Sequence, residues 1–360
     1  MSEQEVLVRV EGAVGRLTLN RPHAHNALTA EMCEAICEAL LAWRDDGDVR
    51  SVLIDGSGHR AFCAGGDIRH VAQSGAGDGV LAARFFRSEY RMNELLFRYP
   101  KPVVAIMDGI TMGGGVGISM PARYRIATER TLWAMPEGDI GLFPDVGAGW
   151  SLPRLPGQTG VWLALTGARL KAADCCALGI ATHFVPSERV AELKSLLYST
   201  HSGESGNPGL LSGRAPEPLG MLAADPGPAP IAERRADIDR LFAFDTVEGI
   251  MGALEADGSD WAREQHQQLE RKCPTTLKVA LRLIREGAGR TSFAEEMAVE
   301  YRLAVRMTRR HDFIDGVRAV IIHKDNAPRW DPPTLDGVTG AQLDELFAPL
   351  PAPEEWTPLN

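Results

Sequence analysis

Residues 102–117 read Pro-Val-Val-Ala-Ile-Met-Asp-Gly-Ile-Thr-Met-Gly-Gly-Gly-Val-Gly, an apolar run that passes almost directly into a cluster of glycines. A short apolar run bounded by turn signals is typical of a buried β-strand. Working outward, similar strand patterns occupy 6–10, 16–19, 51–54 and 124–127. Helical spacing follows Thr29, which suits an N-cap, and recurs over 79–97. Strands that alternate with helices in this way predict a layered α/β fold.

The composition changes near residue 200. Residues 202–230 hold six glycines and six prolines, which favours a loop over a regular element. Apolar residues then return at helical spacing, and a proline-rich stretch follows near the C-terminus. We therefore predict four segments: a core at 1–200, a Gly/Pro-rich loop at 201–230, a helical C-terminal region at 231–335 and an extended tail at 336–360.

Charge and composition exclude several classes of protein. The 360 residues include 38 Lys and Arg against 48 Asp and Glu, and this net charge of −10 argues against a nucleic-acid partner. We expect no membrane partner, because no apolar run reaches bilayer-spanning length and the acidic first residues do not match a secretory signal. Six cysteines without a Cys-x-x-Cys pair predict reduced thiols in a cytoplasmic protein. Histidines without ligand spacing predict that there is no metal site.

Two glycine-rich segments could hold a ligand through the backbone. Residues 61–68 (Ala-Phe-Cys-Ala-Gly-Gly-Asp-Ile) place two glycines before an expected helix start, where free N–H groups suit an anion or a developing oxyanion. Residues 113–117 follow a buried strand, but they lack the Lys-Ser/Thr of a phosphate loop. Taken singly, the first segment could also be a tight turn with Asp67 as a helix cap. The second could serve only close helix packing.

A third segment, 135–147, carries acids among apolar residues. Glu137, Asp139 and Asp145 lie in a stretch otherwise rich in glycine, proline and apolar side chains. Carboxyl groups in such surroundings are candidates for burial and for a raised pKa, which general acid–base chemistry uses. Any one of these acids could equally be a solvated loop charge, and Asp139 in particular could be a turn residue.

Taken together and in this order, the three segments resemble the enoyl-CoA hydratase/isomerase (crotonase) superfamily. Residues 20–28 (Asn-Arg-Pro-His-Ala-His-Asn-Ala-Leu) are similar to its N-terminal signature, 64–67 to its first oxyanion loop and 113–115 to its second. The resemblance implies an α/β crotonase-like spiral of repeated β-β-α units, here with a C-terminal helical extension. It also implies a coenzyme A thioester substrate whose carbonyl oxygen is held by the N–H groups of Gly66 and Gly114.

Within this superfamily, the details look like the 3-hydroxyisobutyryl-CoA hydrolases. The similar stretches in the first half of the chain are 86–90, 109–117, 135–137, 141–147 and 163–167. Those in the second half are 300–303, 312–313, 316–319 and 324–330. This closer resemblance implies hydrolysis of a short hydroxyacyl-CoA thioester, with 3-hydroxyisobutyryl-CoA of valine degradation as the first candidate.

An exchange of carboxylates separates hydrolysis from hydration. Hydratases of the superfamily carry two catalytic glutamates; the second matches Glu137, whereas the first falls at Gly117, which has no side chain. Asp145 stands where the hydratases typically have glycine. The resemblance therefore implies chemistry at the thioester carbonyl. Glu137 would act as nucleophile or general base, and Asp145 would orient the substrate hydroxyl or assist proton transfer.

The remaining expectations concern binding. By resemblance, Glu89, Ala64 and Asp67 contact the substrate, although Glu89 could instead be a solvated charge on a helix face. The basic residues near the N-terminal signature, Arg21, His23 and His25, are candidates for binding the nucleotide end of coenzyme A.

Two other functions stay open. One is a hydratase or isomerase that uses Glu137 as its sole base, and the other is a catalytically silent protein that binds coenzyme A. No cofactor is expected, because coenzyme A is part of the substrate. The superfamily commonly assembles as trimers or pairs of trimers, so we expect a possible homo-oligomer, trimer or hexamer.

Overall fold

A computed structural model describes residues 4–199 and 217–359. The strands in these ranges are β1 (Val6–Glu11), β2 (Val14–Leu19), β3 (Ser51–Gly56), β4 (Ala61–Cys63), β5 (Val103–Met107), β6 (Ile110–Met112), β7 (Tyr124–Ala127), β8 (Leu132–Ala134) and β9 (His183–Phe184). Helices of the first half are α1 (Ala30–Arg44), α2 (Ile68–Gly75), α3 (Val80–Phe97), α4 (Gly114–Ser119), α5 (Ala148–Ser151), α6 (Thr159–Thr166), α7 (Ala172–Ala177) and α8 (Val190–Ser199).

Helices dominate the second half. They are α9 (Glu217–Leu222), α10 (Arg235–Leu241), α11 (Val247–Asp257), α12 (Asp260–Glu270), α13 (Pro274–Gly287), α14 (Phe293–Met307), α15 (His311–Val317) and α16 (Gly340–Phe347). Among the described residues, no helix combines the length and apolar character needed to cross a membrane.

From β3 onward, successive strands alternate between two sheets. One sheet has six strands in the order β1-β2-β3-β5-β7-β9, and the other has three in the order β4-β6-β8. β1 and β2 are antiparallel, whereas the later neighbours of the large sheet pair in parallel. Two strands followed by a helix recur as β1-β2-α1, β3-β4-α2 and β5-β6-α4. These repeats confirm the predicted α/β fold of β-β-α units.

The local sequence explains these elements. Every residue of β5 is buried, as expected for a parallel strand that is covered on both faces. The predicted strand at 124–127 coincides with β7, and the helix predicted over 79–97 is α3. The Thr29 side chain accepts a hydrogen bond of 3.2 Å from Met32 N, so Thr29 caps α1 as predicted.

The chain forms two compact units that are not continuous in sequence. Unit 1 comprises Met1–Gly66, Arg91–Trp133 and Arg169–Ala232. Unit 2 comprises Asp67–Tyr90, Ala134–Ala168 and Glu233–Asn360. The strands lie in unit 1, apart from Ala134 at the end of β8. The acidic segment 135–147 therefore belongs to the same unit as the C-terminal helices.

The prediction of a loop at 201–230 is wrong at Glu217–Leu222, where α9 forms. Residues 201–216 of that prediction lie outside the described residues. Leu219 and Leu222 of α9 are fully buried in a core with Leu193 and Leu197 of α8. Burial of these leucines outweighs the helix-breaking composition around them.

The prediction of an extended tail at 336–360 is also wrong in part, because α16 lies within it. Thr339 and Gln342 form a reciprocal capping box at the start of this helix. Leu346 and Phe347 at its end are buried, and so is Trp356 beyond it. The caps and the apolar contacts together stabilise a helix that the prolines on its C-terminal side concealed.

Candidate active site

The first glycine loop comprises residues 64–67, follows β4 and contains Gly65 and Gly66. Gly65 has a φ of +113°, a conformation that residues with a side chain rarely adopt. Its carbonyl accepts a hydrogen bond of 2.8 Å from Leu28 N, and Ala64 N donates one of 3.0 Å to His25 O. These bonds fix the loop against the N-terminal signature. The Gly66 N–H donates no hydrogen bond to any acceptor in the described parts of the chain.

The second glycine loop lies beside the first within unit 1. A Cβ built on Gly65 would lie 3.8 Å from Gly114 N, and one built on Gly115 would lie only 2.3 Å from Cys63 O. Gly115 therefore serves close packing of α4 against β4, one of the two interpretations of this segment. Gly114 is the first residue of α4, so its N–H has no acceptor within the helix. The structure thus brings the loops of Gly66 and Gly114 together.

Asp67 does not act as the side-chain cap that a tight-turn interpretation predicts. It occupies the N-cap position of α2 but accepts no capping hydrogen bond. Instead, its carboxylate lies 3.1 Å from His70 Nδ1, one turn along the helix. The Asp67 side chain therefore contacts an imidazole of the same helix and does not cap the helix start.

Three predicted acids of unit 2 are buried carboxyl groups. Glu89 on α3 is 2% exposed, Glu137 is 6% exposed and Asp145 is 4% exposed. Glu137 begins the 3-10 turn Glu137–Ile140, and Asp145 stands just before α5. The interpretation of these acids as solvated charges is wrong, because the folded chain buries all three side chains.

Burial and mutual repulsion make these carboxyl groups unusually basic. Burial, followed by the charges of Asp145 and Glu137, holds the pKa of Glu89 well above its ordinary value. The pKa of Glu137 is likewise well above its ordinary value, mainly through burial and then the charge of Asp145, while the Lys272 cation opposes the rise. Neither carboxylate oxygen of Glu137 has a hydrogen-bond partner in the described residues, and the same holds for Glu89 Oε1. Unpaired buried carboxyl oxygens are costly and point to a site that a ligand completes.

Sequence reasoning missed Tyr90 as a site residue. Its hydroxyl donates a hydrogen bond of 2.7 Å to Asp145 Oδ2. Burial raises the pKa of Asp145 to about 6, and the bond from Tyr90 limits this rise. The only available signal was its position next to Glu89 in the quoted stretch 86–90.

A family model described as enoyl-CoA hydratase/isomerase matches residues 14–347. The chain belongs to the enoyl-CoA hydratase/isomerase family.

Two curated relatives of this hydratase/isomerase family member are named 3-hydroxyisobutyryl-CoA hydrolase, mitochondrial. The protein from Danio rerio is 46% identical over 346 residues, which cover 96% of this chain and 90% of the relative. The human protein is 44% identical over 349 residues, which cover 96% of this chain and 89% of the relative.

Solved structures in the family carry other names. A protein from Mycobacterium thermoresistibile described as a carnitinyl-CoA dehydratase is 40% identical, with a TM-score of 0.89 and 97% of each chain covered. One from Rhodobacter sphaeroides 2.4.1 described as an enoyl-CoA hydratase is also 40% identical, with a TM-score of 0.86 and coverage of 98% of this chain and all of that one.

The C-terminal region of this hydratase/isomerase family member braces the acidic segment. Lys272, which is 6% exposed, makes an ion pair of 2.5 Å with Asp139. The Asp139 side chain is half exposed, so Asp139 is a turn residue in an ion pair and not a third buried acid. Gly141 has a φ of +74°, and a Cβ there would lie 2.5 Å from Asp312 O on α15. Glycine is therefore required where the chain leaves the turn that carries Glu137.

Candidate residues for the nucleotide end of coenzyme A lie in unit 1. His23 and His25 line a cavity of about 360 Å³ together with His59 and Arg60, which sequence reasoning missed. Arg21 has structural partners instead: it makes an ion pair of 3.0 Å with Glu5 and donates a hydrogen bond of 2.7 Å to Ala27 O.

The cysteines and the acids offer no metal centre in the described ranges, where no cluster of three His, Cys, Asp or Glu side chains has suitable geometry. All six cysteines are free thiols.

Proposed function

We propose that this chain hydrolyses the thioester of a short hydroxyacyl-CoA, with 3-hydroxyisobutyryl-CoA as its substrate. The observation that carries the proposal is the Glu137 carboxylate, buried without a hydrogen-bond partner beside Asp145, in a chain that has glycine at position 117. One basic carboxylate suffices to attack a carbonyl, directly or through water. The curated relatives named as hydrolases support the same substrate.

The chemistry begins with the ionised Glu137. Its oxygen forms a bond to the thioester carbonyl carbon, and the negative charge moves to the carbonyl oxygen. The N–H groups of Gly66 and Gly114 stabilise this oxyanion, each by about 2.7–4 kcal/mol in comparable acyl-transfer sites. The C–S bond then breaks, which releases the coenzyme A thiolate and leaves a mixed anhydride on Glu137. Water hydrolyses the anhydride to the free acid and restores the carboxylate.

A second route uses the same residue as a general base. Glu137 removes a proton from water, and the resulting hydroxide forms a bond to the thioester carbonyl carbon. The C–S bond then breaks and releases the coenzyme A thiolate, without an intermediate bound covalently to the enzyme. Single-turnover hydrolysis in oxygen-18 water separates the routes. Label that appears in Glu137 after turnover identifies the anhydride, because direct attack of water on the thioester leaves the Glu137 oxygens unlabelled.

The other buried groups hold the acyl end. Asp145 orients the substrate hydroxyl or assists proton transfer, since its pKa of about 6 lets it exchange a proton near neutral pH. Glu89 contacts the substrate through its unpaired Oε1. Ala64 and Asp67 flank the oxyanion loop and contact the substrate there. The cavity lined by His23, His25, His59 and Arg60 takes phosphates of the coenzyme.

A hydratase or dehydratase activity is the second candidate. It is favoured by the names of the two solved structures at 40% identity. It is disfavoured by Gly117, which lies buried on α4 and supplies no carboxylate for a second acid–base group. A protein that only binds coenzyme A is the third candidate, and it leaves the basicity of Glu137 without a use.

One experiment separates the three candidates. Purified protein is offered 3-hydroxyisobutyryl-CoA, crotonyl-CoA and carnitinyl-CoA, while free thiol and enoyl absorbance are followed together. Thiol release from the hydroxyacyl substrate supports hydrolysis. A change in enoyl absorbance without thiol identifies a hydratase or dehydratase, and no reaction with measurable binding identifies a silent protein. Glu137→Gln should reduce thiol release by about 100-fold or more and retain coenzyme A binding.

Three further expectations remain predictions. The cytoplasmic location is one; the Danio rerio and human relatives are both named mitochondrial. A trimeric or hexameric assembly is another, and the absence of a separate cofactor is the third.

A further inference from the structure

Two glutamates on α14 are buried although the proposed chemistry does not use them. Glu296 and Glu300 are both 0% exposed. They lie in unit 2, the same unit as Asp145. Charged side chains are rarely buried this completely unless they have a specific partner, so their contacts show what they do.

Glu300 binds the backbone just beyond Asp145. Its Oε2 accepts a hydrogen bond of 2.8 Å from Gly147 N, and its Oε1 accepts one of 3.1 Å from Gly149 N. One carboxylate therefore fixes two amides of the turn that leads from Asp145 into α5. Burial, followed by the charge of Glu296, holds the pKa of Glu300 well above its ordinary value, and the two N–H donors oppose that rise.

The turn that Glu300 holds has an unfavourable backbone conformation. Val146 has a φ of +53° and Gly147 has a φ of +89°. A β-branched residue such as valine seldom adopts a positive φ, because its Cβ clashes with the backbone. Such a conformation persists only when the surroundings impose it, and strained residues of this kind cluster at functional sites.

Glu296, on the same helix, also packs against this turn. Its Oε2 makes an ion pair of 2.6 Å with Arg290. A Cβ built on Gly149 would lie 2.0 Å from Glu296 Oε1, so only glycine fits between this carboxylate and the turn. The Phe293 ring packs on Gly147, where a Cβ would lie 2.8 Å from its Cζ. Three residues of α14, Phe293, Glu296 and Glu300, thus pack against this turn.

We propose that Glu300 is a positioning residue for the hydrolysis: it clamps the amides of Gly147 and Gly149 and thereby sets the direction of the Asp145 carboxylate. Tyr90 holds the carboxylate of Asp145 through a hydrogen bond, while Glu300 holds the backbone that follows Asp145. The clamp itself rests on the contacts alone, and only its effect on catalysis rests on the proposed function.

Kinetics of Glu300→Gln test the effect on catalysis. The amide keeps one acceptor but turns a donor toward the second N–H, so the clamp opens without a change in side-chain size. We expect kcat to fall roughly 100-fold, as for a misplaced catalytic group, while KM for the acyl-CoA changes little. The acid limb of the pH profile of kcat should also move. Loss of the clamp distorts the hydrogen bond from Tyr90 to Asp145 and thereby changes the pKa of Asp145. Glu295→Gln, an exposed residue on the same helix, is the matched control and should behave as wild type.

Two results would overturn the proposal. The first is a Glu300→Gln enzyme with wild-type kcat and an unmoved acid limb. The second is measured in wild-type protein labelled with ¹⁵N-glycine, which covers the case of a variant that does not fold. There the amides of Gly147 and Gly149 should exchange with deuterium far more slowly than that of Gly47, and equal rates would contradict the clamp. This exchange test needs no turnover, so the clamp and the hydrolase activity can fail separately.

Discussion

Tyr90 and Asp145 form a buried hydrogen-bonded pair, with the Tyr90 hydroxyl 2.7 Å from Asp145 Oδ2. Tyr90 is 0% exposed and Asp145 is 4% exposed, so water does not compete for the bond. The hydroxyl favours the ionised form of Asp145, while burial favours the neutral form, and the balance places the pKa of Asp145 at about 6. The pKa of Asp145 therefore responds to small changes in its burial or in its hydrogen bond with Tyr90.

Replacement of Tyr90 by Phe should move this balance. The bond from Tyr90 lowers the pKa of Asp145, so its loss raises that pKa above 6. If ionised Asp145 is needed for turnover, the acid limb of the kcat profile moves to higher pH, and activity near pH 7 falls. Loss of the buried donor should also lower the free energy of unfolding by about 1–3 kcal/mol. A profile superimposable on wild type would show that the ionisation of Asp145 is not limiting.

Asp145→Asn should make the protein more stable at neutral and alkaline pH. Burial raises the pKa of Asp145 from its ordinary 3.8 to about 6, so the folded state binds this proton more tightly than the unfolded state. The stabilising contribution is complete below about pH 4 and is lost as the pH rises through about 6. Above that range the buried charge costs about 3 kcal/mol. The carbonyl oxygen of the introduced amide can still accept the bond from Tyr90.

Urea unfolding at pH 4 and pH 8 measures this effect. The advantage of Asp145→Asn over wild type should be small at pH 4 and largest at pH 8. The matched control is Asp48→Asn, a replacement at an exposed position in unit 1. An advantage of equal size at both pH values would contradict the assigned rise in pKa.

Lys272→Met should make Glu137 harder to ionise. The pKa of Glu137 already lies well above its ordinary value, and the Lys272 cation opposes that rise. Methionine keeps much of the buried stem but removes the charge, so the pKa of Glu137 should rise further. Since attack requires the carboxylate, the acid limb of kcat/KM should shift to higher pH, with the plateau rate little changed. A loss of rate that is independent of pH would assign Lys272 a purely structural role.

Gly115→Ala should disturb the glycine loops. The added methyl group would lie 2.3 Å from Cys63 O, so α4 must move away from β4 and carry Gly114 with it. We expect thiol release to fall by about 100-fold, a loss comparable to that of one oxyanion donor. Gly47→Ala adds a methyl group where nothing lies within 4 Å and serves as the control. Wild-type activity in Gly115→Ala would exclude Gly114 as a donor.

Local sequence predicts much of the fold because many strands and helices are determined by the residues within and beside them. The apolar run 102–107 has the length and composition of a buried strand, and Thr29 precedes helical spacing that it caps. The Gly/Pro-rich stretch misled because composition says nothing of where Leu219 and Leu222 are buried. At the tail, Thr339 and Gln342 have the spacing of a capping box, but the prolines nearby dominated the prediction.

The acids of the site could be predicted from the sequence as candidates, but the residues that hold them in place could not. Lys272 follows its partner Asp139 by 133 residues, and Glu300 follows Gly147 by 153. Lys272 lies in the connection between α12 and α13, and Glu300 lies on α14; neither has a spacing that distinguishes it from a surface charge. Only the folded chain reveals these pairs, and with them the role of Glu300 in holding the strained turn at Val146.

The acidic segment depends on contacts with residues that come much later in the chain. During synthesis, the reacting groups are therefore made before their C-terminal supports. A ribosome makes Glu137 and Asp145 well before it makes Lys272, and Glu300 emerges later still. The nascent chain therefore carries every carboxylate of the proposed chemistry before it carries the C-terminal residues that hold them in place. Activity should appear only when translation is nearly complete. A premature stop codon between α12 and α14 would silence the enzyme while leaving all of its reacting groups encoded.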